Sequence, residues 1–297
     1  MEIALIGPTA CGKSETALNV AKKIDALILS LDSLALYKEV DIASAKPSRE
    51  ELRAVKHFGV DILYPNEHFN AVMFADEYER ASTCAKEQGK HLIIVGGSSF
   101  YLKALIDGLS IMPSISQSSR NKAANMARED VTAAYAVLQS VDAKFAEGIK
   151  STDTYRISRG LEMFYEFGKK PSEIFDSAPK KKLADGVRIF EITADREELR
   201  AKIRTRTAKM FEAGLLEEAE YLLGRYGVDA KPIGSIGLKE CVSFLCEEIT
   251  RSECEELISI HTAQLAKRQV TFNKSQLLAE FAGDKETVEA KLFGLFA

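Results

Sequence analysis

Ile3-Ala4-Leu5-Ile6-Gly7-Pro8-Thr9-Ala10-Cys11-Gly12-Lys13-Ser14 decides the fold, because it satisfies G-x-x-x-x-G-K-[ST] between a short apolar run and an amphipathic pattern. Ile3 to Ile6 reads as a buried strand and the pattern opening near Lys13 as a helix, so the glycines fall on the turn between them. This is a phosphate-binding loop. Gly7 and Gly12 let backbone N–H groups curl around phosphate oxygens, Lys13 reaches the outer phosphate, and the helix N-terminus adds partial positive charge. In such loops the hydroxyl at the position of Ser14 is the usual magnesium ligand, shared with the phosphates. Cys11 lies among residues that act through their backbone and reads as a tolerated side chain, not a nucleophile. Which phosphate ester the loop holds stays open.

The same grammar recurs outward along the chain. Ala26 to Leu31 reads as a second buried strand with Asp32-Ser33 at its carboxyl end, and Leu92 to Val95 as a third, broken by Gly96-Gly97-Ser98-Ser99 before a helix. Strands alternating with helices predict an α/β fold: a phosphate-loop parallel sheet core flanked by helices, with right-handed crossovers and ligands at the carboxyl ends of the strands. Asp32 is then expected on the strand next to the phosphate loop and facing it, as a base, a magnesium-shell carboxylate or a turn-capping residue. Ala71 to Gln88 carries Phe74, Tyr78 and Ala81 on one helical face, with Asn70 as its cap. Tyr37 to Pro47 reads as an irregular surface loop near the site. His57 and His68 have no partner at metal-ligand spacing.

Composition changes after Gly108. From Pro113 to Lys182 no stretch reads as a convincing strand, and short helical patterns predominate, which predicts a discontinuous core of residues 1–113 and 183–297 with a mainly helical insertion domain at 114–182. Within it a helix follows Ser151-Thr152-Asp153-Thr154 and carries Arg156 and Arg159 on one face, a solvated surface or a track for a nucleic-acid backbone. Val187 to Ile192 returns the chain to the core as a strand. Arg196 to Ala213, stopped at Gly214, reads as a helix bearing Arg200, Arg204 and Arg206, either a lid over diphosphate or a plain surface helix. Ser252 and Glu255 fit a capping box for a long helix to about Asn273, near whose end Lys267 and Arg268 suit the helix dipole. The last two dozen residues are expected to add only a peripheral element.

The 297 residues, 46% of them hydrophobic, suffice for one domain with a substantial insertion. A net charge of −4 gives no basis for indiscriminate nucleic-acid binding, while leaving room for a local basic groove. No apolar run approaches the length of a membrane span, and the start shows no leader pattern, so a cytoplasmic protein is expected. Five cysteines, Cys11, Cys84, Cys241, Cys246 and Cys254, form no C-x-x-C pair and read as reduced thiols. On the residues alone, a kinase of a nucleotide or small metabolite competes, sharing the loop, the Asp and an arginine lid. A nucleotide switch or RNA-binding module is disfavoured, because Asn273-Lys274-Ser275-Gln276 is not N-K-x-D.

Several blocks in order resemble the tRNA dimethylallyltransferases (tRNA isopentenyltransferases) over nearly the full chain. They are Gly7 to Ser14 with its Pro8-Thr9, Asp32-Ser33-Leu34-Ala35-Leu36-Tyr37 with Ala45-Lys46-Pro47, Gly96-Gly97-Ser98, Arg156 to Gly160, Ile236-Gly237, and Ala266-Lys267-Arg268-Gln269. The resemblance implies transfer of a dimethylallyl group from dimethylallyl diphosphate to N6 of an adenine beside the anticodon of tRNA, with Mg2+ as cofactor, by a monomer. By position it implies Asp32 as the general base, Thr9 and Arg206 on the leaving diphosphate, and Gly7, Pro8, Thr9, Ala10, Cys11, Gly12, Lys13 and Ser14 as the donor cradle, with Ser14 on the metal. It puts Asp32, Ser33, Leu34, Ala35, Ser98, Arg120, Arg156, Arg159 and Lys239 near the tRNA. The chain departs from the family pattern at Ala43-Ser44, Ser98, Gly234 and Phe272.

Overall fold

The computed structural model describes residues 1–110 and 114–296. Pro113, the last residue of the expected first core segment, lies outside them. By its internal packing the chain divides into two compact units, Met1–Asp107 with Lys182–Ala297, and Gly108–Lys181.

The larger unit opens with β1 (Glu2–Ile6), α1 (Lys13–Ile24), β2 (Leu27–Ser30), α2 (Arg49–Ala54), β3 (His57–Phe58), α3 (Ala71–Glu87), β4 (Leu92–Val95) and α4 (Ser99–Asp107). In the smaller unit, β5 (Leu109–Ser110) pairs antiparallel with β6 (Lys180–Lys181), and between them lie α5 (Gln117–Glu129), α6 (Val131–Val141), α7 (Ala143–Glu147), α8 (Thr154–Phe167) and α9 (Pro171–Ser177). Among the described residues of that stretch, the short β6 departs from the strand-free reading. The chain then adds β7 (Arg188–Ile192), α10 (Arg196–Glu212), α11 (Leu215–Tyr226), a 3-10 turn at Lys231–Gly234, α12 (Leu238–Leu245), α13 (Arg251–Gln276), β8 (Phe281–Gly283) and α14 (Lys285–Gly294).

Six of these strands form one parallel sheet in the order β3-β2-β4-β1-β7-β8. Residues 3–6, 27–29 and 92–95 are buried without alternation, the expected state of parallel strands covered on both faces. On one face Ile3, Leu5, Ile28, Ile93, Phe190 and Ile192 pack in a single cluster with Val20 and Ala21 of α1, Ile203 of α10, and Val288 and Leu292 of α14. The C-terminal segment is therefore not peripheral: β8 extends the sheet, and Val288 and Leu292 are fully buried.

Two further expectations change. The strand of Asp32 is not next to that of the phosphate loop, because β4 runs between β2 and β1. The long helix α13 is capped two residues earlier than expected, by Thr250 with Glu253, since T-R-S-E fits the same capping box as Ser252 with Glu255. Because α13 runs on to Gln276, Lys267 and Arg268 sit too far from its last turn for the dipole to explain them. Asn70 caps α3 as expected, and Asp153 caps α8.

Candidate active site

The phosphate loop joins β1 to α1 with a backbone only glycine accepts at two points. At Gly7 (φ 147°) a Cβ would stand 2.4 Å from the Ile192 carbonyl oxygen, and Gly12 (φ 94°) is left-handed at the start of the helix. The loop curls over Lys13, whose ammonium is buried and donates to the Pro8 carbonyl at 2.6 Å, with Cys11 Sγ at 3.8 Å. Burial pushes the Lys13 pKa below the ordinary lysine value; Cys11 opposes the shift, Arg206 adds to it and Asp32 opposes it. Ser14 is exposed at the first turn of α1.

Asp32 and Arg206 meet Lys13 from different elements. Asp32 follows β2, and its Oδ1 accepts the Leu34 N–H at 2.8 Å and the Ala35 N–H at 3.4 Å. It therefore serves as a turn cap through one oxygen, and among the described residues no hydrogen bond reaches its Oδ2. Of the four arginines on α10, Arg196 and Arg204 are exposed and Arg200 pairs with Glu197, whereas Arg206 donates to Thr9 Oγ1 at 3.4 Å. Burial lowers the Arg206 pKa and the Asp32 charge opposes that shift. A buried ammonium, a partly buried guanidinium, a hydroxyl and a carboxylate thus share one electrostatic site at the carboxyl ends of the strands.

Glycines make this possible across the intervening strand. β4 is followed by Gly96-Gly97, and a Cβ on Gly96 would stand 2.3 Å from the Leu31 carbonyl oxygen, so any side chain there would push away the segment leading to Asp32. Ser98 N–H donates to the same carbonyl at 3.0 Å. From α13, Gln269 Oε1 accepts the Thr9 N–H at 2.7 Å while its Nε2 donates to the Gly97 carbonyl at 3.0 Å.

Residues 35–276 match the family model described as IPP transferase. The chain belongs to the IPP transferase family. It is 46% identical over 283 residues to a tRNA dimethylallyltransferase of Campylobacter concisus, covering 95% of this chain and 94% of that relative. A tRNA dimethylallyltransferase of Nautilia profundicola is 45% identical over 287 residues, 96% of each chain. Among solved structures, the full-length tRNA isopentenylpyrophosphate transferase of Bacillus halodurans superposes with a TM-score of 0.72 at 25% identity, covering 99% of this chain and 95% of that one. A eukaryotic dimethylallyltransferase acting on tRNA superposes with a TM-score of 0.76 at 25% identity, covering 94% of this chain and 73% of that one.

The IPP transferase family blocks outside the phosphate loop are placed as follows. Tyr37 to Pro47 is less a surface loop than a clamped one: Tyr37, Val40 and Ser44 are buried. Glu218 of α11 accepts the N–H groups of Asp41, Ile42 and Ala43 at 2.7, 2.7 and 2.8 Å, and buried Lys46 bridges Asp41 and Asp61 at 2.8 and 2.6 Å. Ser33 and Leu34 are partly exposed and Ala35 is buried. Lys239, exposed at the start of α12, lies 3.4 Å from Glu240. Arg120, Arg156 and Arg159 belong to the smaller unit. There Arg120 is exposed, while Arg156 is held by the cap Asp153 at 3.1 Å and Arg159 by Glu162 of the same helix at 2.6 Å. Gly160 in the same block is a packing residue, since a Cβ there would stand 2.8 Å from Leu138 and Phe145.

Sequence reading missed Gln269 as a bridge, Glu218 as a clamp, and Lys285, which lies against Gly12 and pairs with Glu15 at 2.7 Å. Only the family block gave any signal for Gln269. Because burial disfavours the charged form of Lys13, its proton is lost at lower pH than that of a free lysine. Affinity for inorganic diphosphate, measured by calorimetry, is expected to hold at neutral pH and to fall on the alkaline side before the ordinary lysine range is reached. K13R should move that limb to higher pH.

Proposed function

We propose that this chain transfers a dimethylallyl group from dimethylallyl diphosphate to N6 of an adenine beside the anticodon of tRNA, releasing diphosphate. One observation supports this above the kinase reading. Asp32 shares the electrostatic site of Lys13 and Arg206 in a chain of the IPP transferase family, so a carboxylate stands beside a cationic cradle built for an anionic leaving group. The C1–O bond of the donor breaks as the C1–N6 bond forms, and the bridging oxygen leaves with the diphosphate. Lys13, the loop N–H groups and Arg206 neutralise the charge that develops on it, and Thr9 Oγ1 lies on the Arg206 side of the same cradle. Adenine N6 is a poor nucleophile until it sheds a proton. Asp32, held through Oδ1 by Leu34, takes that proton on Oδ2. The adenine must be splayed from its stack to enter.

The donor set suits magnesium. Ser14 offers a hard hydroxyl oxygen at the mouth of the loop, and an ion that arrives on a diphosphate needs only one or two protein ligands. When bound, it would add positive charge to the leaving group. On this reading the helical unit is an insertion domain that grips RNA, and the protein works as a monomer in the cytoplasm. Among the described residues no helix is long and apolar enough to cross a membrane.

Incubation with labelled dimethylallyl diphosphate, magnesium and unmodified tRNA should place label on one adenosine of the digested RNA. ATP consumption without RNA and no label would instead favour the kinase. The helical unit has its own test. Replacing Arg156 and Arg159 together by Ala should raise the tRNA Kd and flatten its salt dependence by about one to two phosphate contacts. An unchanged salt slope would leave them as the ion-paired surface residues of α8.

A further inference from the structure

Gln269 is 260 positions from Thr9 in sequence, yet its side-chain amide ties the phosphate loop to the turn after β4. Thr9 supplies a donor and Gly97 an acceptor, so the two bonds admit only one orientation of the amide. The Thr9 N–H is thereby committed to Gln269 and withheld from phosphate. That fixes the peptide plane at Thr9, whose hydroxyl lies 3.4 Å from the Arg206 guanidinium. The other end of the tie leads to the base: Ser98, next to Gly97, donates its N–H to the carbonyl of Leu31, the residue before Asp32. One amide therefore sets the spacing between the leaving-group side of the site and its proton acceptor. Gly97 points the same way. It does not need a left-handed backbone, but a Cβ there would stand 2.2 Å from Gln269 Nε2. The glycine is required by the amide that presses on it.

We propose that Gln269 is a positioning residue that holds Thr9 and the phosphate loop in register with Arg206 and Asp32, and that Gly97 is glycine to admit it. The catalytic part of this proposal rests on the prenyl-transfer reading above; the part concerning diphosphate does not. The test compares Q269A, G97A and the double variant, with Q269M to preserve side-chain volume should Q269A fold poorly. Readouts are the Kd for inorganic diphosphate with magnesium, the single-turnover rate with both substrates saturating, the tRNA Kd, and Tm. Each single variant should weaken diphosphate binding and slow the single turnover by about tenfold or more, the order expected when a reacting group is misplaced by a fraction of an ångström to one ångström. The tRNA Kd should not move. The double variant should be no worse than Q269A, because the methyl that G97A adds then meets no amide. Losses that multiply, or a lowered Tm with unchanged diphosphate affinity and single-turnover rate, would overturn the proposal. Should the wild-type chain transfer nothing to tRNA, the reaction assigned above fails, while diphosphate binding in the three variants still decides whether the tie exists.

Discussion

D32N is expected to slow the chemical step by roughly 10²–10⁴-fold, the share that general-base catalysis supplies, while both substrates still bind. The amide keeps an oxygen for the Leu34 N–H, so the turn that Asp32 caps should survive and Tm should change little. Removing a negative charge beside Lys13 and Arg206 should leave donor affinity equal or tighter, since the diphosphate no longer shares its cations with a carboxylate. A loss confined to the transition state appears as a slower single turnover without weakened binding of either substrate. Normal turnover with weakened magnesium dependence would instead make Asp32 a ligand of the metal shell.

K13A should divide the site the other way. Lys13 is enclosed by the phosphate loop, and among the described residues its ammonium hydrogen-bonds to Pro8 and Cys11. Losing a charge-assisted contact worth roughly 1.5–3 kcal/mol should raise the donor Kd by about 10- to 150-fold. The tRNA Kd should hold, because this cation lies beneath the loop that cradles the donor. A parallel loss of tRNA affinity, measured by filter binding, would refute the division of labour.

The phosphate loop, β2, β4, β7 and the position of Asp32 at a strand end were legible because each is a local pattern: an apolar run, a glycine break, a polar residue. What local pattern does not carry is sheet order, so the placement of β4 between β1 and β2 was hidden, and with it the reason Gly96 must be glycine. β3 and β8, with two and three residues, are too short to show a period. Thr250 and Ser252 offered the same capping signature two residues apart, and the helix is capped by the first of them. Gln269 and Glu218 act on backbone groups 260 and about 176 positions away, with no charge partner or motif spacing to announce the contact. Burial misled once: an irregular stretch with few periodic residues reads as surface, yet Val40 is fully buried because Glu218 and Lys46 satisfy the polar groups around it.

On the reaction proposed above, a loop of the kind that serves phosphoryl transfer holds the leaving group of an alkyl transfer. This can be tested with dimethylallyl diphosphate carrying ¹⁸O only in the oxygen that bridges carbon and phosphorus, incubated with the protein, magnesium and unmodified tRNA. Mass spectrometry of the products should find the label wholly in intact diphosphate, with the five-carbon group on adenosine N6. Label retained in a prenyl alcohol, or monophosphate released in place of diphosphate, would contradict it.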